Sequence, residues 1–412
     1  INGYKDGSFF TPGFITEYMA RETIRRAVVQ KFNETKNRNL EDFEALKEQI
    51  DLSPESREEA NRIINSLKIC DPAVGSGHFL VSALNEMIAL KSELKVLSYR
   101  DGRRIKLYSA RVENDELIIE DEDEGGIFEY GLSKQGTIIK EKQAVQEAIF
   151  HEKQTIIENC LFGVDINANS VKICRLRLWI ELLKHAYYHE TLAPPAAPES
   201  PKGARAAAGT HLELQTLPNI DINIKTGNSL ISRFGLNASL KSALRGTNWK
   251  IGDYQKFVND YKNAQSKEDK NSLKTLIDQI KKDFRTEINR DNAKQKKLNQ
   301  LSDELYTKYT GNKLFEEQLT KKQKQERAKL EQQINKLQAE IDDLKNNEIY
   351  HNAFEWRFEF PEVLDEEGNF MGFDVVIGNP PYIRSTEIKI NERKYYNDLY
   401  KSSYKQYDIY VL

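Results

Sequence analysis

The chain has 412 residues, 30% of them charged, and a formal net charge of −3. This length allows two or three domains, and the charge lacks the basic excess of a protein that coats nucleic acid. No apolar run approaches the roughly 18 residues of a membrane span, and the first residues do not have a signal-peptide pattern. We therefore expect a cytoplasmic protein without a membrane partner.

Cysteine and histidine usage predicts no metal site. Three cysteines are too few for a disulfide framework, and none has a metal-binding spacing. His185 and His189 are four residues apart on a predicted helix. Because no third ligand lies nearby in the sequence, this pair does not predict zinc.

A glycine-containing loop is the first informative motif along the chain. An apolar strand predicted at 67–70 runs into Asp-Pro-Ala-Val-Gly-Ser-Gly-His-Phe at 71–79, and an apolar helix follows. Strand, loop and helix form the first unit of a doubly wound sheet, in which ligands bind at the carboxyl ends of strands. Gly75 and Gly77 let the backbone approach a ligand, and the helix start favours an anion such as a carboxylate. The spacing differs from the dinucleotide-binding glycine motif, so a pyrophosphate is not the expected ligand.

A proline-stiffened loop is the second motif. The apolar run at 373–377 predicts a buried strand that opens into Asn379, Pro380, Pro381 and Tyr382. Two prolines fix φ and remove backbone donors, so nearby carbonyls can face a ligand. The amide oxygen of Asn379 can accept from a substrate NH2 group, and the ring of Tyr382 can lie against a planar group. The loop predicts a site for a planar group with an exocyclic NH2, and a structural proline turn is the alternative.

Together the two motifs resemble those of the gamma-class, S-adenosylmethionine-dependent N6-adenine DNA methyltransferases. The likeness is greatest to the methyltransferase part of type IIG-like restriction–modification enzymes, which join cutting and methylation in one polypeptide. Further segments typical of that family lie at 7–12, 161–167, 226–230 and 354–363. The resemblance implies an α/β fold with a doubly wound, mostly parallel sheet. It also implies S-adenosylmethionine as the cofactor and double-stranded DNA with a flipped adenine as the partner.

The resemblance assigns roles to matching residues. Asn379 and the Pro380 carbonyl would accept from the adenine N6 group, and Tyr382 would stack on the extruded base. Asp165 would accept from the ribose hydroxyls of the cofactor, and Asn228, where the family often has an acid, would meet its adenine. Taken singly, Asp165 or Asn228 could instead be a helix cap or a turn residue. The residues expected to bind the cofactor are Thr11, Asp71, Pro72, Ala73, Gly75, Gly77, Asp165 and Asn228, and the catalytic ones are Asn379, Pro380, Pro381 and Tyr382.

Composition and periodicity divide the chain into five predicted parts. Methyltransferase core is expected at 1–98, 151–254 and 351–412. A small antiparallel β insert at 99–150 and a helical hairpin or coiled coil at 255–350 interrupt it. Residues 193–209, rich in alanine and proline, are interpreted as a linker or insertion. We expect this chain to be a fragment that lacks its C-terminal strands and target-recognition domain, with an N-terminal nuclease as a further candidate in the full-length protein.

Three other functions stay open at this stage. Protein glutamine methyltransferases share the fold and the Asn-Pro-Pro-Tyr loop, because a glutamine amide is also planar and carries NH2. Cytosine N4 methyltransferases usually have serine in place of Asn379. A non-catalytic interaction protein would use the coiled coil.

Basic residues and tyrosines alternate between 384 and 407. This mixture suits phosphate contact and base stacking. A solvated helix that buries its tyrosines explains it equally well.

Overall fold

The computed structural model describes most of the chain, which divides into two compact units. The described residues are 11–123, 125–192, 210–215, 223–233, 236, 249–264, 266–291, 293–310, 320–346 and 348–412. The first unit comprises Ile1–Thr226, Phe373–Arg384 and Asp408–Tyr410, and the second comprises Gly227–Gly372, Ser385–Tyr407 and Val411–Leu412. Three predicted features lie wholly or partly outside the described residues. They are residues 7–10 of the motif at 7–12, the alanine- and proline-rich segment at 193–209, and residues 311–312 of the turn expected at 310–312 between the two arms of the helical hairpin.

A parallel sheet of four strands lies at the centre of the first unit. Numbered along the chain, these strands are β1 (Ile69–Asp71), β5 (Leu161–Asp165), β8 (Ile224–Thr226) and β9 (Val375–Val376). Their order is β8-β5-β1-β9, and every neighbouring pair is parallel. Because parallel neighbours require crossover connections, this order is that of an α/β fold. The predicted α/β class with a parallel sheet is confirmed, and the completion of the sheet by further strands stays a prediction.

Six helices surround this sheet among the described residues of the first unit. They are α1 (Gly13–Lys36), α2 (Phe43–Gln49), α3 (Pro54–Asn65), α4 (His78–Glu93), α5 (Lys140–Asn159) and α6 (Ala168–Leu183). Helix α4 is the central one, because every residue from Phe79 to Lys91 is buried. Its buried Glu86 is paired with Arg25 of α1 at 2.8 Å, so the charge is not left without compensation. This burial holds the start of α4, and with it the glycine loop, in a fixed place.

A small antiparallel sheet lies between α4 and α5 in the sequence. It consists of β2 (Tyr108–Glu113), β3 (Glu116–Asp121) and β4 (Gly126–Ile127). Asn114 and Asp115 connect β2 to β3 with φ of 54° and 65°, as expected for a two-residue hairpin turn. Helix α5 already begins at Lys140, so the end of the segment predicted as a β insert is helical.

The two segments that flank 193–209 also form an element that sequence reasoning missed. Strand β6 (Tyr188–Leu192) pairs with β7 (Thr210–Leu214) in an antiparallel arrangement. The helix predicted to carry His185 and His189 is wrong, because α6 ends at Leu183 and His189 lies in β6. Residues 188–192 form a strand rather than a continued helix because their backbone groups bond to those of β7, a segment that sequence reasoning did not connect with them.

The second unit is mainly helical. Its helices are α7 (Ile251–Asn263), α8 (Lys267–Asp291), α9 (Ala293–Leu305), α10 (Lys321–Asn346), α11 (Trp356–Glu359) and α12 (Ile390–Leu399). Helix α8 packs against α7, and α9 packs against α10. That the helices between 255 and 350 form a single helical hairpin or coiled coil stays a prediction. Among all helices that the structure describes, none is both long and apolar enough to cross a membrane.

Gly163 tests the packing between the sheet and the glycine loop. A Cβ at this position would lie 2.9 Å from Val74 Cγ2 and 3.1 Å from Ile224 Cδ1. We expect Gly163→Ala to lower the free energy of unfolding by about 1–3 kcal/mol, because the surrounding core is already filled. Gly131→Ala is the control, since nothing lies within 4 Å of its added Cβ. Urea denaturation of both variants measures the difference, and equal stability would contradict the packing described here.

Candidate active site

The glycine loop joins the end of β1 to the start of α4. Gly75 and Gly77 have φ of 51° and 82°, in the left-handed region that favours glycine. A Cβ on Gly77 would also lie 2.5 Å from Cys174 Sγ, so this position lacks space for a side chain. Around Gly75 the nearest atom to an added Cβ is 3.9 Å away, so its backbone is open to an approaching ligand.

Asp165, at the end of β5, holds this loop in shape. Its Oδ2 accepts a hydrogen bond from Gly75 N at 2.9 Å, and its Oδ1 accepts one from Asn167 N at 2.7 Å. A carboxylate offers about four acceptor positions, so two remain available to a ligand. The sequence predicted a ligand-binding acid at this position, but it did not predict the bond to the glycine loop.

Asp71 lies beneath the loop, with 1% of its surface exposed. Burial raises the pKa of the Asp71 carboxyl to about 7; the bond from Ala73 N at 3.0 Å opposes this rise and the charge of Asp165 adds to it. The group therefore changes charge near neutral pH. A cationic ligand group placed beside it would favour the ionised form.

The second motif meets the first at Gly378. A Cβ on Gly378 would lie 2.5 Å from Asp71 Oδ1, so the backbone of the proline-containing loop lies directly against the buried carboxyl. Ile377 N donates to Cys70 O at 2.9 Å, which extends the pairing between β9 and β1 to this point. The two sequence motifs therefore meet at adjacent strand ends, as the topology of a parallel sheet requires.

Asn379 is the next residue and is half-buried. Its Nδ2 donates a hydrogen bond to Thr11 Oγ1 at 3.1 Å. This bond uses an N–H of the amide, and Oδ1 is the atom that can accept from a ligand. Thr11, Asp71 and Asn379, predicted as site residues from distant parts of the sequence, are thus brought together in the first unit.

The rest of the loop turns outward. Pro380 and Pro381 are half-buried, and Tyr382 is 60% exposed. The ring of Tyr382 lies 5.2 Å from that of Tyr410, at an interplanar angle of 59°. Tyr410 was missed by sequence reasoning, since the contacts that bring it here join segments about 25 residues apart: Ile409 N donates to Ile383 O at 2.8 Å, and Arg384 and Asp408 form an antiparallel bridge.

Pro72 and Ala73 form the first turn of the glycine loop.

Asn228, the last predicted cofactor residue, belongs to the second unit. Within that unit Asn228 Oδ1 accepts from Leu230 N at 3.0 Å. Asn228 N donates to Asn352 O at 2.6 Å. These contacts are those of a turn residue, which was one of the two alternatives left open by the sequence, and its contact with a cofactor stays a prediction.

Most tyrosines of the basic and aromatic segment pack inside the second unit. Tyr395 donates to Ser232 O at 2.7 Å, Tyr400 donates to Leu230 O at 2.8 Å, and Tyr396 is fully buried. Tyr404 differs, because 72% of it is exposed. The buried-face alternative therefore describes Tyr396, whereas Tyr395 and Tyr400 are half-buried with their hydroxyls bonded to backbone carbonyls, and base stacking by these two stays a prediction.

A comparison with known protein families identifies the family of this chain. Residues 159–412 match the Eco57I restriction-modification methylase family. The chain belongs to that family. The matched range contains Asp165 and the whole Asn-Pro-Pro-Tyr loop. The resemblance predicted from the motifs is thus confirmed at the level of a restriction–modification methylase.

A protein of Methanocaldococcus jannaschii is similar over nearly all of this Eco57I-family chain. It is named as a candidate type II restriction enzyme and methyltransferase, and the two sequences are 27% identical over 418 residues. The alignment covers 94% of this chain and 29% of that relative. The chain therefore corresponds to less than a third of the relative's length.

Replacement of Asp71 should change how stability depends on pH. Because the pKa rises from 3.8 to about 7 on folding, the stabilising contribution of the protonated group is lost as pH increases through this window. We expect Asp71→Asn to gain stability relative to wild type between pH 5 and pH 8, by about 2–3 kcal/mol, because only the part of the pKa shift above pH 5 is sampled. Denaturant titrations at both pH values measure this, with the exposed Asp123→Asn as control. A difference that does not vary with pH would contradict the assignment.

Proposed function

We propose that this chain is the methyltransferase part of a restriction–modification enzyme, and that it transfers a methyl group from S-adenosylmethionine to adenine N6 in DNA. The observation that carries the proposal is the junction of the two motifs. Gly378 lies against the Asp71 carboxyl, and the amide of Asn379 is bonded to Thr11. The contact between the two loops supports a role for the Asn379 amide oxygen as the acceptor next to a cofactor bound at the glycine loop. Membership of the Eco57I family supports the same chemistry.

The residues around the glycine loop suit S-adenosylmethionine, which when bound supplies a methyl group on a positively charged sulfur. Asp71 can ionise near neutral pH and so can compensate the positive methionine end. Asp165 has acceptor positions left for ribose hydroxyls, and the N–H groups at the start of α4 suit a carboxylate. The open backbone at Gly75 allows close approach. We therefore assign the cofactor to this loop.

The proline-containing loop suits an extruded adenine. The lone pair of N6 is delocalised into the ring, so acceptors that bind its N–H protons make the nitrogen more amine-like. Asn379 Oδ1 and the Pro380 carbonyl would take this part, and the exposed ring of Tyr382 would lie against the base. A base inside a duplex does not reach such a loop, so it must be flipped out. The main contribution of the protein is then alignment of nitrogen and methyl group.

Labelling separates this proposal from its alternatives. The full-length protein is incubated with tritiated S-adenosylmethionine and either duplex DNA or a glutamine-containing release factor. We expect label in DNA, recovered as N6-methyladenine after digestion to nucleosides. Label in N4-methylcytosine or in protein glutamine would overturn the proposed substrate, and absence of cofactor binding would favour a non-catalytic interaction protein. The target-recognition domain and any nuclease are proposed to lie in the rest of the full-length protein.

The role of Asn379 is tested by truncation of its side chain. We expect Asn379→Ala to lower kcat about 100-fold or more, because a preorganised polar group at the reacting centre is lost. The Kd for the cofactor should stay close to that of wild type. Asn259→Ala, at an exposed position of α7, is the matched control. An Asn379→Ala enzyme with full adenine methylation would refute the assignment.

Thr11 offers a more conservative test of the same amide. Thr11→Val keeps the shape of the side chain but removes the hydroxyl that accepts from Asn379 Nδ2. We expect kcat to fall about 10-fold, the equivalent of one lost hydrogen bond, with Thr11→Ser close to wild type. Rate and cofactor Kd are measured together. A loss confined to the cofactor Kd would instead assign Thr11 to the donor side of the site.

A further inference from the structure

The turn of the β2–β3 hairpin is fixed by polar contacts. Asp115 N donates to Glu17 Oε2 at 3.1 Å, and Asp115 O accepts from Asn85 Nδ2 at 3.0 Å. Its side chain is 11% exposed, although the turn lies at the tip of a hairpin. Asn114 and Asp115 both have positive φ, which suits the two central residues of such a hairpin turn and points the Asp115 side chain from the tip of the hairpin.

The carboxylate of Asp115 is bound to the first turns of α4. It lies 2.7 Å from His78 Nε2, and it also accepts from the hydroxyl of Ser82. His78 is the first residue of the helix and directly follows Gly77 of the glycine loop. The hairpin therefore makes direct contact with the end of the loop that we assign to the cofactor.

The same turn also reaches the start of α1. A Cβ on Gly13 would stand 3.2 Å from Asp115 Cβ, and Thr16 Oγ1 lies 2.9 Å from Ser82 Oγ. Gly13 is two residues beyond Thr11, the residue that bonds to Asn379. The Asp115 side chain thus contacts both the start of α4, which follows the glycine loop, and the start of α1, which follows Thr11.

We propose that Asp115 is a positioning residue of the cofactor site, through which the hairpin holds His78 and the start of α1 in the arrangement that binds the cofactor. This inference rests on the proposed function for the identity of the ligand. The β2–β3 hairpin would then contribute to cofactor binding, although it lies outside the parallel sheet. Burial raises the pKa of the Asp115 carboxyl, and the hydrogen bond from Ser82 and the charges of His78 and Arg177 oppose this rise. Glu17 faces its backbone N–H.

The test measures cofactor binding separately from catalysis. Asp115→Asn keeps the size of the side chain and tolerates positive φ, but it places an amide where His78 and Ser82 meet a carboxylate. We expect the Kd for S-adenosylmethionine to rise about 10-fold or more, the value of a hydrogen bond to a charged group. The kcat at saturating cofactor should change less than about twofold, since Asp115 does not touch the reacting atoms.

Two further variants complete the test. Glu113→Gln removes a carboxylate from the same hairpin, at an exposed position paired with Arg111, and should bind the cofactor as wild type does. His78→Gln should raise the Kd, and the double variant should be no weaker than the weaker single one, because the two residues act together. Thermal melting checks that each variant is folded.

The outcomes separate this inference from the proposed function. Wild-type affinity in Asp115→Asn, or a lowered melting temperature without a change in Kd, would make the hairpin a structural attachment only and overturn the inference. Additive losses in the double variant would overturn the link through His78. If the wild-type protein itself binds no S-adenosylmethionine, the proposed function fails instead. Binding without DNA methylation would remove the proposed substrate and leave the role of Asp115 in place.

Discussion

The rest of the site depends on the contact between a buried carboxyl and a backbone that carries no side chain. Asp71 ends the strand next to β9, and Gly378 passes so close to it that any Cβ would collide. This contact fixes the distance between the loop assigned to the cofactor and the loop assigned to the substrate. It also keeps an ionisable group out of water, which is why its pKa rises to about 7.

The elements on both sides of this contact are well buried. Strand β1 lies between β5 and β9, and α4 is buried along most of its length. The positions of the loops at the ends of these strands are set by the sheet, because each loop begins at a strand that is bonded to its neighbours. Asp165 adds a second constraint through its bond to Gly75 N. For the proposed cofactor, these constraints would lower the entropic cost of binding, because the loops are already held by the sheet.

Features set by neighbouring residues could be predicted from the sequence, whereas contacts between residues far apart in the chain could not. The two loops were predicted because glycine permits backbone conformations that other residues disfavour and proline restricts them, both of which act locally. Parallel-strand topology then brought Asp71 and Asn379 together. Tyr395 and Tyr400 were ambiguous, because the carbonyls that accept their hydroxyl bonds are more than 160 residues away. Pairing of β6 with β7 and the contact of Asp115 with His78 were missed for the same reason. Local pattern carries no information about which distant partner satisfies a polar group.

Cys174 illustrates a consequence of this close packing. Its sulfur lies where a side chain on Gly77 would stand, and burial raises the pKa of its thiol, which disfavours the reactive thiolate in the folded protein. Cys70 and Cys160 are buried as well. Thiol-selective reagents should therefore leave these three cysteines unmodified in the native chain, and the appearance of labelled thiols would report the opening of the glycine loop and its sheet.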